Sequence, residues 1–206
     1  MNSDPLVWLT NTDGPYKGMG LKDLIQAAKD KPSTIRVAVV PGSMWDYLVE
    51  QVEAESGAKF LKVPFQGGGP GVTALLGQNV DIAQGFYSEF KGFMDANRVA
   101  PVAVAANERL PHLAAVPTFN ETLGAKDYVW TLIRFVVVPK GTPADRKTYL
   151  AAGVRAAMAD PELLEEYKKV GAYFDPQLTG SADAVKGLAA YAEKEREFYQ
   201  KTGRLK

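Results

Sequence analysis

Between Val63 and Gly85 the chain reads Val-Pro-Phe-Gln-Gly-Gly-Gly-Pro-Gly-Val-Thr-Ala-Leu-Leu-Gly-Gln-Asn-Val-Asp-Ile-Ala-Gln-Gly. Val63 to Phe65 ends an extended run. Gly67, Gly68 and Gly69 then let main-chain amides approach a ligand without side-chain obstruction. Pro70 has the fixed φ suited to a first helical turn, and Val72, Leu75 and Leu76 follow on one helical face. A strand leading through glycines into a helix start is a physical anion trap, because unpaired N–H groups and the helix dipole point the same way. The chemistry this offers is backbone binding of a small anion. The same residues also fit a glycine-rich turn with no ligand, and the stretch alone leaves both readings open.

Composition removes most rival chemistries. The 206 residues contain no cysteine, so thiol catalysis, disulfides and cysteine metal sites are excluded. The single histidine, His112, rules out a histidine metal cluster, and its proline-punctuated setting, Leu110-Pro-His-Leu113, reads as a surface loop. Lys+Arg and Asp+Glu balance at 24 each, with no basic stripe interleaved with aromatics, which argues against nucleic acid. Apolar residues make up 46% and charged residues 23%, ordinary for a globular domain, and no apolar run is long enough to span a membrane. The first ten residues lack a basic region and a long apolar region and do not read as a signal peptide. No motif calls for a cofactor or a metal.

The elements that must position the glycines alternate strand and helix, the grammar of an α/β fold with a largely parallel sheet. Strands are expected at Leu6–Thr10, Ile35–Val40, Phe60–Phe65, Val80–Ala83 and Val99–Ala105. Leu21, Leu24, Ile25 and Ala28 mark one face of a helix that stops before Pro32. Pro41-Gly42-Ser43 opens another helix, with Ser43 as its N-cap and Trp45, Leu48, Val49 and Val52 as its apolar stripe, ended by Gly57. Thr118-Phe-Asn-Glu121 has capping-box spacing. Val129–Val138 is the longest strand candidate, with Trp130 read as a core residue. After it come helix starts at Thr142-Pro143, Asp160-Pro161 and Ser181. The division expected is residues 5–128, a nearly complete α/β lobe, and residues 129–206, a crossover strand plus helices too strand-poor to build a sheet.

Several segments together carry a resemblance. Pro15-Tyr16, Leu21-Lys-Asp-Leu24, Val63-Pro-Phe-Gln-Gly-Gly-Gly-Pro70, Leu75-Leu-Gly-Gln-Asn-Val-Asp81, Arg109 before Val116-Pro-Thr-Phe-Asn-Glu121, Pro139-Lys-Gly-Thr-Pro143, and Asp160-Pro161 with Gly171 stand in order along the chain. They resemble the receptors of tripartite tricarboxylate transporters, the Bug family of periplasmic solute-binding proteins. The resemblance implies a periplasmic-binding-protein-like (type II) two-lobe architecture, with the second lobe complete and the first partial. It implies a periplasmic receptor, not an enzyme, that holds a small carboxylate solute and delivers it to a membrane permease. The N-terminal half of the family's first lobe has no counterpart in this sequence, so the expectation is a truncated form that binds only weakly, pairs with a separately supplied first-lobe half, or exchanges segments with a second copy.

The site residues expected on this reading are Gly42, Ser43 and Met44 after one strand, Gly67, Gly68 and Gly69 after the next, and Phe86, Tyr87 and Ser88 after a third. Ligands gather outside strand C-terminal ends in open α/β sheets. Asp46, beside the first loop, would repel a carboxylate placed there. Two alternatives stand beside this reading: the effector-sensing domain of a transcription regulator, and a phosphate-binding α/β enzyme. The glycine loop lacks both the Gly-Lys-Ser/Thr ending of a P-loop and dinucleotide-fold spacing.

Overall fold

A computed structural model of the chain describes residues 2–169 and 181–205. The expected α/β alternation is present through residue 123, and the chain divides into two compact units, Asp4–Leu132 and the remainder.

The Asp4–Leu132 unit is built on a five-stranded sheet. Its strands are β2 (Val7–Asn11), β3 (Arg36–Val39), β4 (Leu61–Pro64), β5 (Ile82–Gly85) and β6 (Val99–Val104), in the order β4-β3-β5-β2-β6. The adjacent strands β4, β3 and β5 run parallel, whereas β2 runs antiparallel to both β5 and β6. Every residue of β2 is buried, which places this strand at the centre of the hydrophobic core. Its side chains alternate as the pleat requires. Val7 and Leu9 join the layer formed with α3 (Gly68–Leu76) and α4 (Tyr87–Asp95), which includes Val72, Leu75, Ala83 and Phe90. Trp8 meets Phe60 and Phe119 edge-on, with ring centroids 5.6 and 5.2 Å away. Each such aromatic pair adds about 0.5–1.5 kcal/mol to the burial term.

The remaining helices of this unit are α1 (Leu21–Asp30), α2 (Met44–Ser56) and the short α5 (Phe119–Leu123). α1 buries the expected Leu21, Leu24, Ile25 and Ala28. α2 turns Tyr47, Leu48, Val49 and Val52 inward. Trp45 stays half-buried at the rim, so the expectation that it belongs to the core is corrected. β5 begins two residues later than the sequence pattern suggests. Asp81 before it is tied to Arg36 through Nε at 3.0 Å, Nη2 at 2.7 Å and the main-chain N–H at 2.8 Å. That bidentate pair pins the starts of β3 and β5 in register, leaving their far ends to carry loops.

The second unit is different in kind. β7 is only Thr131–Arg134 and pairs with β1 (Asn2–Pro5) in a two-stranded sheet. The long strand expected at Val129–Val138 is therefore corrected: residues 135–138 carry no strand pairing, and Val136 and Val137 are 75% and 74% exposed. A β-branched run forms a strand only when a neighbour completes the ladder. α6 (Ala144–Met158), α7 (Pro161–Lys169) and α8 (Ser181–Lys201) follow. α6 starts one residue later than the Thr142-Pro143 signal suggests, and the Thr142 hydroxyl bonds the Pro139 carbonyl instead of capping. Asp160 does cap, its Oδ1 accepting from the amides of Glu162 and Leu163. Beyond position 132, none of the residues whose burial is described is buried. Gly171, part of the sequence resemblance, lies outside the described residues.

Candidate functional site

The parallel strands β4, β3 and β5 end side by side, and each feeds a loop into a helix start: Val40–Ser43 into α2, Phe65–Gly67 into α3 and Phe86 into α4. β3 connects to β4 on one side, and the chain then returns to β5 on the other, so the crevice beyond β3 is a topological switch point. Of the nine expected site residues, Gly42, Ser43, Gly67 and Phe86 lie on these loops, and Met44, Gly68, Gly69, Tyr87 and Ser88 open the helices that follow.

The α2 loop is closed on itself. Gly42 takes the left-handed conformation at φ 69°. Its N–H is bonded by the Asp46 carboxylate at 3.2 Å, while the Ser43 N–H and hydroxyl both go to the Val40 carbonyl, at 3.2 and 2.6 Å. Ser43 thus occupies the N-cap position without capping through its side chain, contrary to the sequence expectation. Asp46 also differs from expectation, because Lys62 Nζ from β4 lies 2.8 Å from Asp46 Oδ1 and 3.2 Å from Glu50 Oε1. Burial pulls the lysine pKa down, but the bonds to Asp46 and Glu50 outweigh it and leave the ammonium held above its usual value. The charge expected to repel a carboxylate is therefore compensated. Among the described residues, the amides of Met44 and Trp45 remain without an acceptor.

A carboxylate also fills the glycine loop. Glu89 Oε2 accepts the Phe86 N–H at 2.9 Å, and its carboxylate lies against Gly68 and Gly85. A Cβ on Gly68 would stand 2.6 Å from Oε2, and one on Gly85 would stand 3.4 Å from it. Gly68 leaves a space that a larger residue would close, Gly85 borders it, and Glu89 sits in it. The amides of Gly68, Gly69 and Ser88 have no acceptor among the described residues, and the Ser88 side chain is exposed. Gly67 precedes α3 with extended backbone at φ 166°.

The aromatic side chains of the third loop face inward. Phe86 is buried edge-on against Trp45, with centroids 5.2 Å apart. Tyr87 packs against Phe90 at 5.6 Å and His112 at 4.2 Å. His112 is accordingly not a surface loop residue. It sits half-buried on a 3-10 turn at Pro111–Leu113, and desolvation lowers its pKa to about 4, so the ring is neutral at pH 7.

The family model described as "Tripartite tricarboxylate transporter family receptor" matches residues 1–203. The chain belongs to that receptor family. Among curated relatives, it is 29% identical over 150 residues to a UPF0065 protein in the TAR-I ttuE-ttuC' intergenic region of Agrobacterium vitis, covering 72% of this chain and 43% of the relative. It is 28% identical over 187 residues to protein BugT of Bordetella pertussis, covering 90% of this chain and 56% of that protein. The chain thus spans about half the length of these curated relatives. In fold it is similar to the periplasmic binding protein BugD, with a TM-score of 0.78 and 24% identity over 99% of this chain and 68% of that one. It is also similar to R. palustris Rpa4515, solved with adipate, with a TM-score of 0.79 and 23% identity over 98% of this chain and 67% of that one. The fold is that of these binding proteins, as the sequence resemblance implies.

Three residues at this loop cluster escaped sequence reasoning. Glu89 had a signal, since it stands three positions after Phe86 in capping-box spacing, but no Ser or Thr leads the motif. Lys62 had none, because its partners are 12 and 16 residues away on helix α2, brought to β4 only by the packing of helix on sheet. Gln84 is fully buried and bridges the loop, its Nε2 donating to the carbonyls of Ala38 at 3.0 Å and Trp45 at 2.8 Å. The Trp45 indole returns a bond to the Gln84 carbonyl at 3.3 Å. Together they staple the first turn of α2 to the end of β5. Among the described residues, no group of three or more His, Cys, Asp or Glu side chains is placed to hold a metal ion, and no helix is long and apolar enough to cross a membrane.

Proposed function

We propose that this chain forms part of an extracytoplasmic receptor that binds a small carboxylate-bearing solute and delivers it to a membrane permease of the tripartite tricarboxylate type. The observation that carries this reading is the convergence of three helix starts at one switch point, in a chain of the receptor family. The open amides of Met44, Trp45, Gly68, Gly69 and Ser88 are neutral donors for a carboxylate. Neutral donors suit a receptor that must release its cargo, because they hold a carboxylate without the added attraction of a full cation, such as a bidentate arginine would bring. Periplasmic placement follows from the same family reading. In it, Asp4–Leu132 is the second lobe and the remainder belongs to the first.

The carboxy-terminal unit needs a complement. Phe135, Val136, Tyr149, Leu150 and Val185 are exposed, and apolar side chains left this open contribute little toward offsetting the ordering entropy of the residues that carry them. The relatives are about twice the matched length, and we assign the covering segment to an additional α/β half-lobe of the kind they contain. Light scattering checks this: a half-lobe polypeptide should form a 1:1 complex with the chain, whereas a dimer of the chain alone would point to segment exchange.

A thermal-shift panel tests the binding reading. At least one mono-, di- or tricarboxylate should raise Tm in a concentration-dependent way. Flat responses to all of them, with a positive one for nucleoside phosphates, would replace the receptor with the phosphate-binding alternative.

A further inference from the structure

The glycine trap is occupied by the protein's own anion, and this bears on what the site accepts. In the Asp4–Leu132 unit, α1, α2, α4 and α5 each carry an acid at the third helical position: Asp23, Asp46, Glu89 and Glu121. α3 has no acid in its first turn. Glu89 supplies one from the neighbouring helix, lying against Gly68 where the amides and dipole of α3 favour negative charge. It therefore serves two helix starts at once.

Its surroundings separate it from the other acids. Asp46 has Lys62, and Glu121 has Arg109 Nε at 2.8 Å. Among the described residues no lysine or arginine pairs with Glu89, and its Oε1 accepts no hydrogen bond. The residue is half-buried, Oε2 is held by the Phe86 amide, and Oε1 has its hydrogen-bonding capacity left over beside the start of α3. Phe86 connects it to the α2 loop, since the Phe86 ring packs against Trp45, whose own amide is open.

We propose that Glu89 sets the solute class: it receives a protonated amine on the solute, so that the site takes amino-carboxylates and disfavours a second carboxylate at the start of α3. This rests on the carboxylate-binding reading above. The solute carboxylate goes to the open amides of α2, Met44 and Trp45, where Lys62 offsets Asp46. The ammonium goes to the uncompensated Glu89. A dicarboxylate of the same length would place like charges together in a partly desolvated site.

The test uses carbon-matched probes, propionate, lactate, alanine, succinate and aspartate, titrated calorimetrically into the wild-type chain and the Glu89→Gln variant. Glutamine keeps an oxygen for the Phe86 amide, so the variant's Tm should stay within about 2 °C of wild type. The wild type should bind the amino member of a set about tenfold more tightly than its amine-free counterpart, and Glu89→Gln should reduce that ratio to about twofold or less. A merely structural role for Glu89 would weaken all probes equally. A wild-type preference for succinate over aspartate, a preference for lactate over alanine, or a ratio unchanged by Glu89→Gln overturns this inference and leaves carboxylate binding standing. Binding of none of the probes overturns both.

Discussion

Asp46 and Glu89 occupy the same position on two neighbouring helices, and each turns back to hold the main-chain N–H of a residue just before its helix. They differ in what surrounds them. Asp46 has a lysine 2.8 Å away on the edge strand and a glycine in left-handed conformation beneath it. Glu89 has no such cation and two glycines that make room for it. Local capping chemistry, legible along the chain, decides that an acid stands at each helix start. Tertiary neighbours, which are not legible there, decide whether that acid is silent or available to a solute.

Substitutions can break this contrast, and the largest effect belongs to the compensated side. Asp46→Ala removes the bond to Gly42 and leaves Lys62 with Glu50 alone, and should cost about 1.5–2 kcal/mol in urea unfolding. Lys62→Met, which leaves Asp46 uncompensated, should cost less, about 1 kcal/mol, because the pair is partly solvated.

The α4 side should carry the pH dependence, through His112 against Tyr87. Its folded pKa of about 4 lies below the unfolded value of about 6.5. The neutral ring therefore contributes stability that is fully present above pH 6.5 and is lost as pH falls toward 4. For a half-buried ring we expect about 1–2 kcal/mol across that window, measured by urea unfolding at pH 7 and pH 4. His112→Phe should flatten the slope in that range, and an unchanged slope would remove His112 as its source.

Gly68→Ala sharpens the contrast further. The new methyl must displace the Glu89 carboxylate and with it the bond to Phe86, a loss of about 1 kcal/mol. In a Glu89→Ala background the same substitution should be nearly neutral, a coupling that only contact between the two positions produces. The smallest effect belongs to the second unit. Val136→Thr should change stability by less than about 0.5 kcal/mol in the isolated chain, because that side chain is already 75% exposed.

The two units also show why sequence reasoning succeeded unevenly. In the first, periodicity predicted α1 and its buried face, the paired strands β3 and β4, and the capping box at Thr118, whose hydroxyl accepts the Glu121 amide at 3.0 Å. Each rests on neighbours within a few residues or on one strand pair. In the second, Val129–Val138 has a strand's composition, yet only Thr131–Arg134 forms one. The three candidate loops were readable as the segments after three expected strands, but the filling of the glycine trap was not. Gly68 was read as room for a ligand, and the room is used by a side chain 21 positions later.

The central claim is that a carboxylate solute is held at the convergence of α2, α3 and α4. Amide NMR on the 206-residue chain tests it most directly, by titrating the carboxylate that gives the largest thermal shift. The account predicts saturable shifts centred on Met44, Trp45, Gly68, Gly69 and Ser88, with little change at the Arg36–Asp81 end of the sheet. Shifts centred elsewhere, or a uniform drift without saturation, would contradict it.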